Sequence, residues 1–261
     1  MSENSCLWFL FHEHRLVLAM DASGTHGIPQ GSAPPAPPAG VCHSLGSLNG
    51  VQCLSYTVDA VPQNGGFVTV GLRSSFDILG PDLYQMAGKG WEMVHWDMHS
   101  RFCPVCGTAM SPETPVSKKC PACGHQAFPN ISVAILALIR REDSILLVQA
   151  HNFSGPHYGL VAGFLETGET LEECVHREIQ EETGLEVENV HYLASQPWPY
   201  PSGLMVGFAA DYKSGILRLQ EEELSHGEFF KAGNLPEIPH KLSLARQMID
   251  WWLDGCQPQF R

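Results

Sequence analysis

No stretch of this 261-residue chain is apolar for the roughly 20 residues that a bilayer-spanning helix requires. Basic residues are also scarce: 15 Lys and Arg stand against 28 Asp and Glu, a formal net charge of −13. Such a balance disfavours general binding to nucleic-acid backbone, because phosphates are repelled instead of neutralised. It admits a small anionic substrate only where divalent cations screen the site. The opening run, MSENSCLWFLFHEH, has a short apolar stretch with no basic residues ahead of it, so no secretory signal is expected. Nor do the nine cysteines form a disulfide framework, since the count is odd and four of them fall into paired C-x-x-C motifs. Cys6, Cys42, Cys53, Cys174 and Cys256 are scattered and read as small core residues. The expected compartment is a reducing cytoplasm, with no membrane partner.

What is present divides into three parts, expected at residues 1–98, 99–129 and 130–261. Residues 1–98 carry 3 basic against 8 acidic side chains, and residues 131–261 carry 9 against 19, so the acidity concentrates in the last part. The first part reads as β-rich. Leu7–Phe11 and Arg15–Met20 flank a polar His-Glu-His turn and predict a hairpin, and Gly66–Leu72 predicts another strand. Residues 28–40 form a Pro/Ala/Gly loop. Apolar residues recur at helical spacing over Leu83–Met98, although Gly88 and Gly90 weaken a helix there. No catalytic constellation is visible in this part, and packing or dimer formation is its default role.

Cys103-Pro-Val-Cys106 and Cys120-Pro-Ala-Cys123 follow, separated by 13 residues. Two such pairs set four thiolates at the corners of a tetrahedron, which predicts a closed structural Zn²⁺ site in a zinc ribbon. Gly107 and Gly124, one place after each pair, suit the turn that aims amides at the sulfurs. His125 is expected at the surface.

Beyond the ribbon, Ile131–Ile139 and Ser144–Ala150 predict paired strands, and Tyr158–Ala162 predicts a third extended segment. Leu171–Thr183 predicts a helix with an apolar stripe of Leu171, Cys174, Val175 and Ile179. Strands are expected near Val187–Ala194 and Leu204–Tyr212, and a closing helix over Ser243–Leu253. The same predicted helix carries Glu178, Glu181 and Glu182 at i, i+3 and i+4, so three carboxylates share one face. They repel one another unless a cation sits among them, and oxygen ligands of this kind suit Mg²⁺ or Mn²⁺. Glu169 stands near the expected helix start and Gly184 where a left-handed residue commonly ends a helix.

Gly163–Leu185 reads GFLETGETLEECVHREIQEETGL, that is G-x5-E-x7-R-E-I-x-E-E-x-G-L with no position missing. This resembles the Nudix box, the signature of hydrolases that cleave nucleoside diphosphates linked to another moiety. Ten residues past it come Ser195-Gln196-Pro197-Trp198-Pro199-Tyr200-Pro201-Ser202. Three prolines alternating with two aromatics exclude a helix or a central strand, and would hold a rigid aromatic ledge suited to stacking a planar ring. In this context the segment is similar to the SQPWPFPxS array of the NADH pyrophosphatase branch of the Nudix family. Tyr200 replaces a Phe of that pattern, and Ser202 stands one place early.

The resemblance implies a mixed α/β chain: a Nudix α/β/α sandwich preceded by a four-cysteine zinc ribbon and a β-rich N-terminal domain. It implies that Glu178 and Glu182 bind the catalytic cations, that Glu223 of the run Glu221–Glu223 completes the site, and that Glu181 is either a ligand or the base. Arg177 is expected to orient neighbouring carboxylates. Substrate contacts are implied at Phe128, Ala162, Gln196, Pro197, Trp198, Pro199, Tyr200, Pro201, Ser202 and Ala245. The implied reaction is hydrolysis of the pyrophosphate of NADH or NAD⁺ to nicotinamide mononucleotide and AMP, extending to NAD caps on RNA 5′ ends. A homodimer is implied as well. Competing expectations are a Nudix hydrolase of ADP-ribose, a diadenosine polyphosphate or FAD, and a non-catalytic nucleotide- or RNA-binding module.

Overall fold

A computed structural model describes residues 5–21, 23–63, 66–151 and 155–256. The first four residues of the opening run therefore lie outside the described residues. Two compact units emerge: residues 1–130 with 198–202, and residues 131–197 with 203–261.

In the first unit the expected hairpin is Cys6–His12 paired antiparallel with Arg15–Met20. Glu13 and His14 make its two-residue turn, both with positive φ (44° and 64°), as the tight hairpin turns require. Sequence reasoning missed the two-residue strands His26–Gly27 and Gln30–Gly31 and two longer ones. Val51–Thr57 runs parallel to Cys6–His12 and pairs antiparallel with His43–Leu48. Polar residues interrupt both, so neither stands out as an apolar run. The Pro/Ala loop pairs Gln30–Gly31 antiparallel with the start of Cys6–His12, and its Ala36 carbonyl accepts a hydrogen bond of 2.9 Å from the buried Tyr56 hydroxyl.

Helix α1 (Phe76–His99) covers this sheet and is longer than expected. It bends at Gly80 (φ 73°, ψ 173°), and Pro81 opens the longer segment, where its missing N–H costs nothing. Gly88 and Gly90 do not break the helix; they are what lets it pack closely. A Cβ at Gly90 would lie 2.9 Å from Ser55 Oγ and 3.2 Å from Leu45 Cδ1, and the Ser55 hydroxyl donates to the Gly90 carbonyl at 3.2 Å. Gly90→Ala is therefore expected to destabilise the protein by about 1–3 kcal/mol despite its better helix propensity. Chemical denaturation of the variant checks this.

The cysteine segment forms a small sheet of Ser111–Thr114, Ser117–Lys119 and Gln126–Ala127. Lys118 ties it to the end of α1. Its ammonium is buried, pairs with the Asp97 carboxylate at 2.7 Å and donates to the carbonyls of Asp97 and Ser100. A lone Lys so placed would be costly; three oxygen partners make the burial tenable.

In the second unit the sheet runs in the order Leu185–Trp198, Gly203–Gly215, Ser132–Arg141, Ser144–Ala150, Leu224–Lys231, with Val161–Phe164 also paired to Ser132–Arg141. Ser132–Arg141 is buried on both faces. Ile135, Ala137 and Ile139 join the cluster around helix α2 (Leu171–Thr183), while Leu136 and Leu138 join the cluster around helix α3 (Leu244–Leu253). Period-two alternation thus feeds two cores from one strand, and the result is helix, sheet, helix. Leu185–Trp198 lies at the sheet edge, where its proline is tolerated. The strand Leu224–Lys231 was not expected, since the acidic run ahead of it masks its start. Among the scattered cysteines only Cys53 and Cys174 are core residues. Cys6 and Cys256 are half-buried and Cys42 is exposed, because each lies at the margin of its sheet or helix and not on an inward position. No helix among the described residues is long and apolar enough to cross a membrane.

Candidate active site

Helix α2 begins with a capping box. The Thr170 hydroxyl accepts from the Glu173 amide at 3.2 Å, and the Glu173 carboxylate accepts from the Thr170 amide at 2.7 Å. It ends at Gly184 in the left-handed conformation, φ 68°. Cys174, Val175 and Ile179 anchor its inner face in the core. That anchoring fixes the azimuth of the acidic face, so Glu178, Glu181 and Glu182 have no freedom to rotate away together.

Arg177 organises two of them. Its guanidinium donates to Glu169 at 2.6 Å, to Glu178 at 2.8 Å, to Glu181 at 3.1 Å and to the Phe164 carbonyl at 3.0 Å. These bonds hold the Glu169 carboxyl below the usual carboxylate range. Glu169 therefore serves as the clamp's anchor, one residue ahead of the Thr170 N-cap and so near the helix start as expected. Gly163 is the other constraint. Any Cβ there would overlap the Glu178 carboxylate, so only glycine lets that side chain lie across the strand Val161–Phe164.

Glu182 has no such help. It is 4% exposed, and its Oε2 has no hydrogen-bond partner. Burial, followed by the charges of Glu178, Glu223 and Glu181, pushes its pKa up to about 8. Burial also raises Glu178, against the pull of Arg177. Glu223, at the last turn before Leu224–Lys231, adds to the repulsion on both. Its backbone is fixed by the His151 amide, which donates to its carbonyl at 2.9 Å. An orphaned buried carboxylate oxygen amid three more carboxylates fits a hard divalent cation and little else. These carboxylates do not close up as the cysteines do: among the described residues only Cys103, Cys106, Cys120 and Cys123 bring all their ligand atoms within 4.8 Å of one another.

The burial of Glu182 has a measurable consequence without metal. Its folded-state pKa lies above its unfolded value, so the folded state holds a proton that the unfolded chain releases. Stability is therefore full below about pH 4.5 and falls as pH rises towards 8. Each pH unit between the unfolded and folded values is worth about 1.4 kcal/mol, so the loss amounts to a few kcal/mol. Glu182→Gln should raise the melting temperature of metal-free protein at pH 8 and change it little at pH 5, as thermal scans at the two pH values would read.

The array residues divide between the units. Gln196 has both amide atoms engaged: Nε2 donates to the Leu242 carbonyl at 2.8 Å and Oε1 accepts from the Leu244 amide at 2.7 Å, tying its strand to the start of α3. Ala245, next on α3, is buried, and half-buried Ala162 packs against the same cluster. In the first unit, the rings of Trp198 and Tyr200 meet edge to face at 5.1 Å, and the Arg73 guanidinium lies 4.9 and 4.4 Å from their centroids. Tyr200 shares a 2.6 Å hydroxyl bond with Tyr84, Pro199 packs on Gly88, and Ser202 donates to the Asn130 carbonyl. Pro197 and Pro201 are exposed, as is Phe128. Arg73 and Tyr84 were missed by sequence reasoning, since a lone Arg after an apolar strand and a Tyr on a helix carry no motif.

In the cysteine cluster, Cys103 and Cys120 are buried and Cys106 and Cys123 exposed. Gly107 and Gly124 have φ of 75° and 78°, and their amides donate to the Cys103 and Cys120 carbonyls. Hydrogen bonding with Thr108, and then with the neighbouring thiols of Cys120 and Cys123, lowers the Cys106 thiol from its ordinary value. His125 is half-buried, its carbonyl accepting from the Cys120 amide.

Residues 129–252 match the NUDIX domain family, and residues 5–96 match the NADH pyrophosphatase-like rudimentary NUDIX domain. Over 210 residues the chain is 35% identical to the NAD-capped RNA hydrolase NudC of Stutzerimonas stutzeri (strain A1501), across 80% of this chain and 76% of that one. The chain belongs to the Nudix hydrolase family. A second similar Nudix protein is NAD-capped RNA hydrolase NudC of Pseudomonas aeruginosa (strain PAO1), 37% identical over 81% of this chain and 76% of its own. The fold is similar to the crystal structure of a NUDIX hydrolase from Nitrosomonas europaea, with TM-score 0.51 and 22% identity over 59% of this chain and 91% of that one. Within the Nudix family, the match at residues 5–96 places this hydrolase in the NADH pyrophosphatase branch. It also explains why the N-terminal unit shows no box: it is a rudimentary copy of the fold.

Proposed function

We propose that this Nudix hydrolase cleaves the pyrophosphate bond of NADH and NAD⁺, releasing nicotinamide mononucleotide and AMP, and removes NAD caps from RNA 5′ ends. The observation that carries the reading is the buried, unpartnered Glu182 among Glu178, Glu181 and Glu223, in the same chain as the Ser195–Ser202 aromatic array. Curated relatives 35–37% identical to it bear the name NAD-capped RNA hydrolase.

In this reading Glu178, Glu182 and Glu223 hold Mg²⁺ or Mn²⁺, and Glu181 is either a further ligand or the base. The cation supplies neutralisation of the diphosphate and acidification of water. Glu181 or Glu182 takes the proton of the attacking water, in line with the bridging P–O bond. That bond breaks as the water oxygen bonds to phosphorus, so each product leaves with one phosphate. Arg177 keeps Glu178 and Glu181 apart and aimed while the charge around them changes. The half-buried rings of Trp198 and Tyr200 receive a planar base, with Pro197, Pro199 and Pro201 stiffening their backbone, and Phe128 adds an exposed ring. Ala162 and Ala245 leave room for the nucleotide, and Gln196 and Ser202 hold the array's ends.

Cys103, Cys106, Cys120 and Cys123 hold a structural Zn²⁺, which has no open coordination position and takes no part in the chemistry. A homodimer in the cytoplasm completes the proposal. Incubation of the purified protein with NADH, NAD⁺, ADP-ribose, a diadenosine polyphosphate, FAD and NAD-capped RNA, with and without Mn²⁺, tests it. Mn²⁺-dependent turnover of the NAD-containing substrates is expected. Turnover of ADP-ribose alone would assign a different dinucleotide, and none at all would favour a binding module.

A further inference from the structure

Tyr200 stands where the family array carries Phe, so its hydroxyl is a feature of this chain that the array itself does not need. In the first unit that hydroxyl is paired with the hydroxyl of Tyr84 at 2.6 Å. Tyr84 is 7% exposed and sits on α1, with Phe76 packed edge-on against its ring at 5.4 Å. It is thus a fixed point. Arg73 adds a second hold, its guanidinium resting over both Trp198 and Tyr200. Gly88, one turn along α1 from Tyr84, adds a third by letting Pro199 approach to within 3.0 Å of where a Cβ would be. Three contacts from one segment, Arg73–Gly88, converge on three consecutive array residues.

We propose that Tyr84 is a positioning residue, whose bond to the Tyr200 hydroxyl locks the rings of Trp198 and Tyr200 in their edge-to-face arrangement, a preformed corner in which the planar base of the dinucleotide lies against one ring face. The inference deepens the NAD(H) reading and rests on it for what is stacked. Preorganisation of this kind lowers the entropic cost of binding and leaves the bond-breaking step alone. It therefore predicts an effect on KM and not on kcat.

Removing one hydroxyl strands the other in a half-buried place, whereas removing both leaves no unpartnered group. In the Mn²⁺-loaded enzyme, Tyr84→Phe should raise KM for NADH about fivefold with kcat within about twofold. The Tyr84→Phe/Tyr200→Phe double variant should be no worse than the more affected single, the non-additivity expected of a directly bonded pair. An unchanged KM in Tyr84→Phe, a fall in kcat at constant KM, or additive effects in the double variant would overturn the proposal. A second measurement needs no substrate. The near-ultraviolet circular dichroism owed to Trp198, taken as the difference between the native protein and Trp198→Phe, should shrink in Tyr84→Phe at temperatures where far-ultraviolet dichroism shows the variant fully folded. No change in that signal would also overturn the lock. Should the native enzyme leave NADH intact, the substrate reading fails while the dichroism still judges the lock by itself.

Discussion

Glu178→Gln is expected to lower kcat on NADH by about 10³-fold or more, the scale of losing several kcal/mol of charge stabilisation by a metal. The substitution is nearly isosteric, so the side chain can still lie across Gly163. Arg177 keeps Glu169 and Glu181 as partners. Removing a carboxylate whose pKa burial already raises relieves repulsion on Glu182. The melting temperature should accordingly hold or rise while Mn²⁺ affinity, read by titration calorimetry, falls. That pairing of lost activity with retained stability separates a metal ligand from a residue that merely builds the helix. A variant that keeps full activity with Mg²⁺ or Mn²⁺ supplied would remove Glu178 from the site.

Cys103→Ser should have the largest effect on structure. A closed four-cysteine site contributes about 10–16 kcal/mol of metal binding in small modules, which is folding energy for a segment with little core of its own. Residues 111–127 supply only three short strands, and among their described apolar side chains Val116 is 51% exposed. Loss of the metal should expose residues 99–129 to protease and free Lys118 from Asp97 and Ser100 at the end of α1. Metal analysis should find one equivalent of zinc per native chain and none in the variant. Native levels of zinc in Cys103→Ser, or unchanged protease resistance without it, would contradict the ribbon's role.

The box helix was legible in the sequence because its signals agree. Leu171, Cys174, Val175 and Ile179 form its stripe, Gly184 ends it, and the carboxylates fill the remaining face, while the capping box of Thr170 and Glu173 went unread. Ser132–Arg141 and Ser144–Ala150 were legible as unbroken apolar runs. The N-terminal unit was harder to read for a physical reason. In α1 the glycines count against a helix by propensity, yet packing against Ser55 and Pro199 outweighs that preference. His43–Leu48 and Val51–Thr57 owe their pairing to tertiary contacts and carry weak local patterns. Within the site, spacing alone gave the shared face of Glu178, Glu181 and Glu182. It could not show that Glu182 is the buried member, because burial depends on residues far along the chain, such as Gln220, whose amide donates to the Glu182 carbonyl at 2.9 Å. Arg177 is one residue off that face, and its hold on Glu169 spans eight residues, beyond any helical neighbour rule.

The most direct test is chromatography of NADH incubated with the purified protein and Mn²⁺, following the identity and stoichiometry of the products. Reduced nicotinamide mononucleotide and AMP in equal amounts, with none formed in excess chelator or by Glu178→Gln, is the predicted result. Intact NADH, or cleavage at the nicotinamide–ribose bond to give free nicotinamide, would contradict the assignment of this site to pyrophosphate hydrolysis.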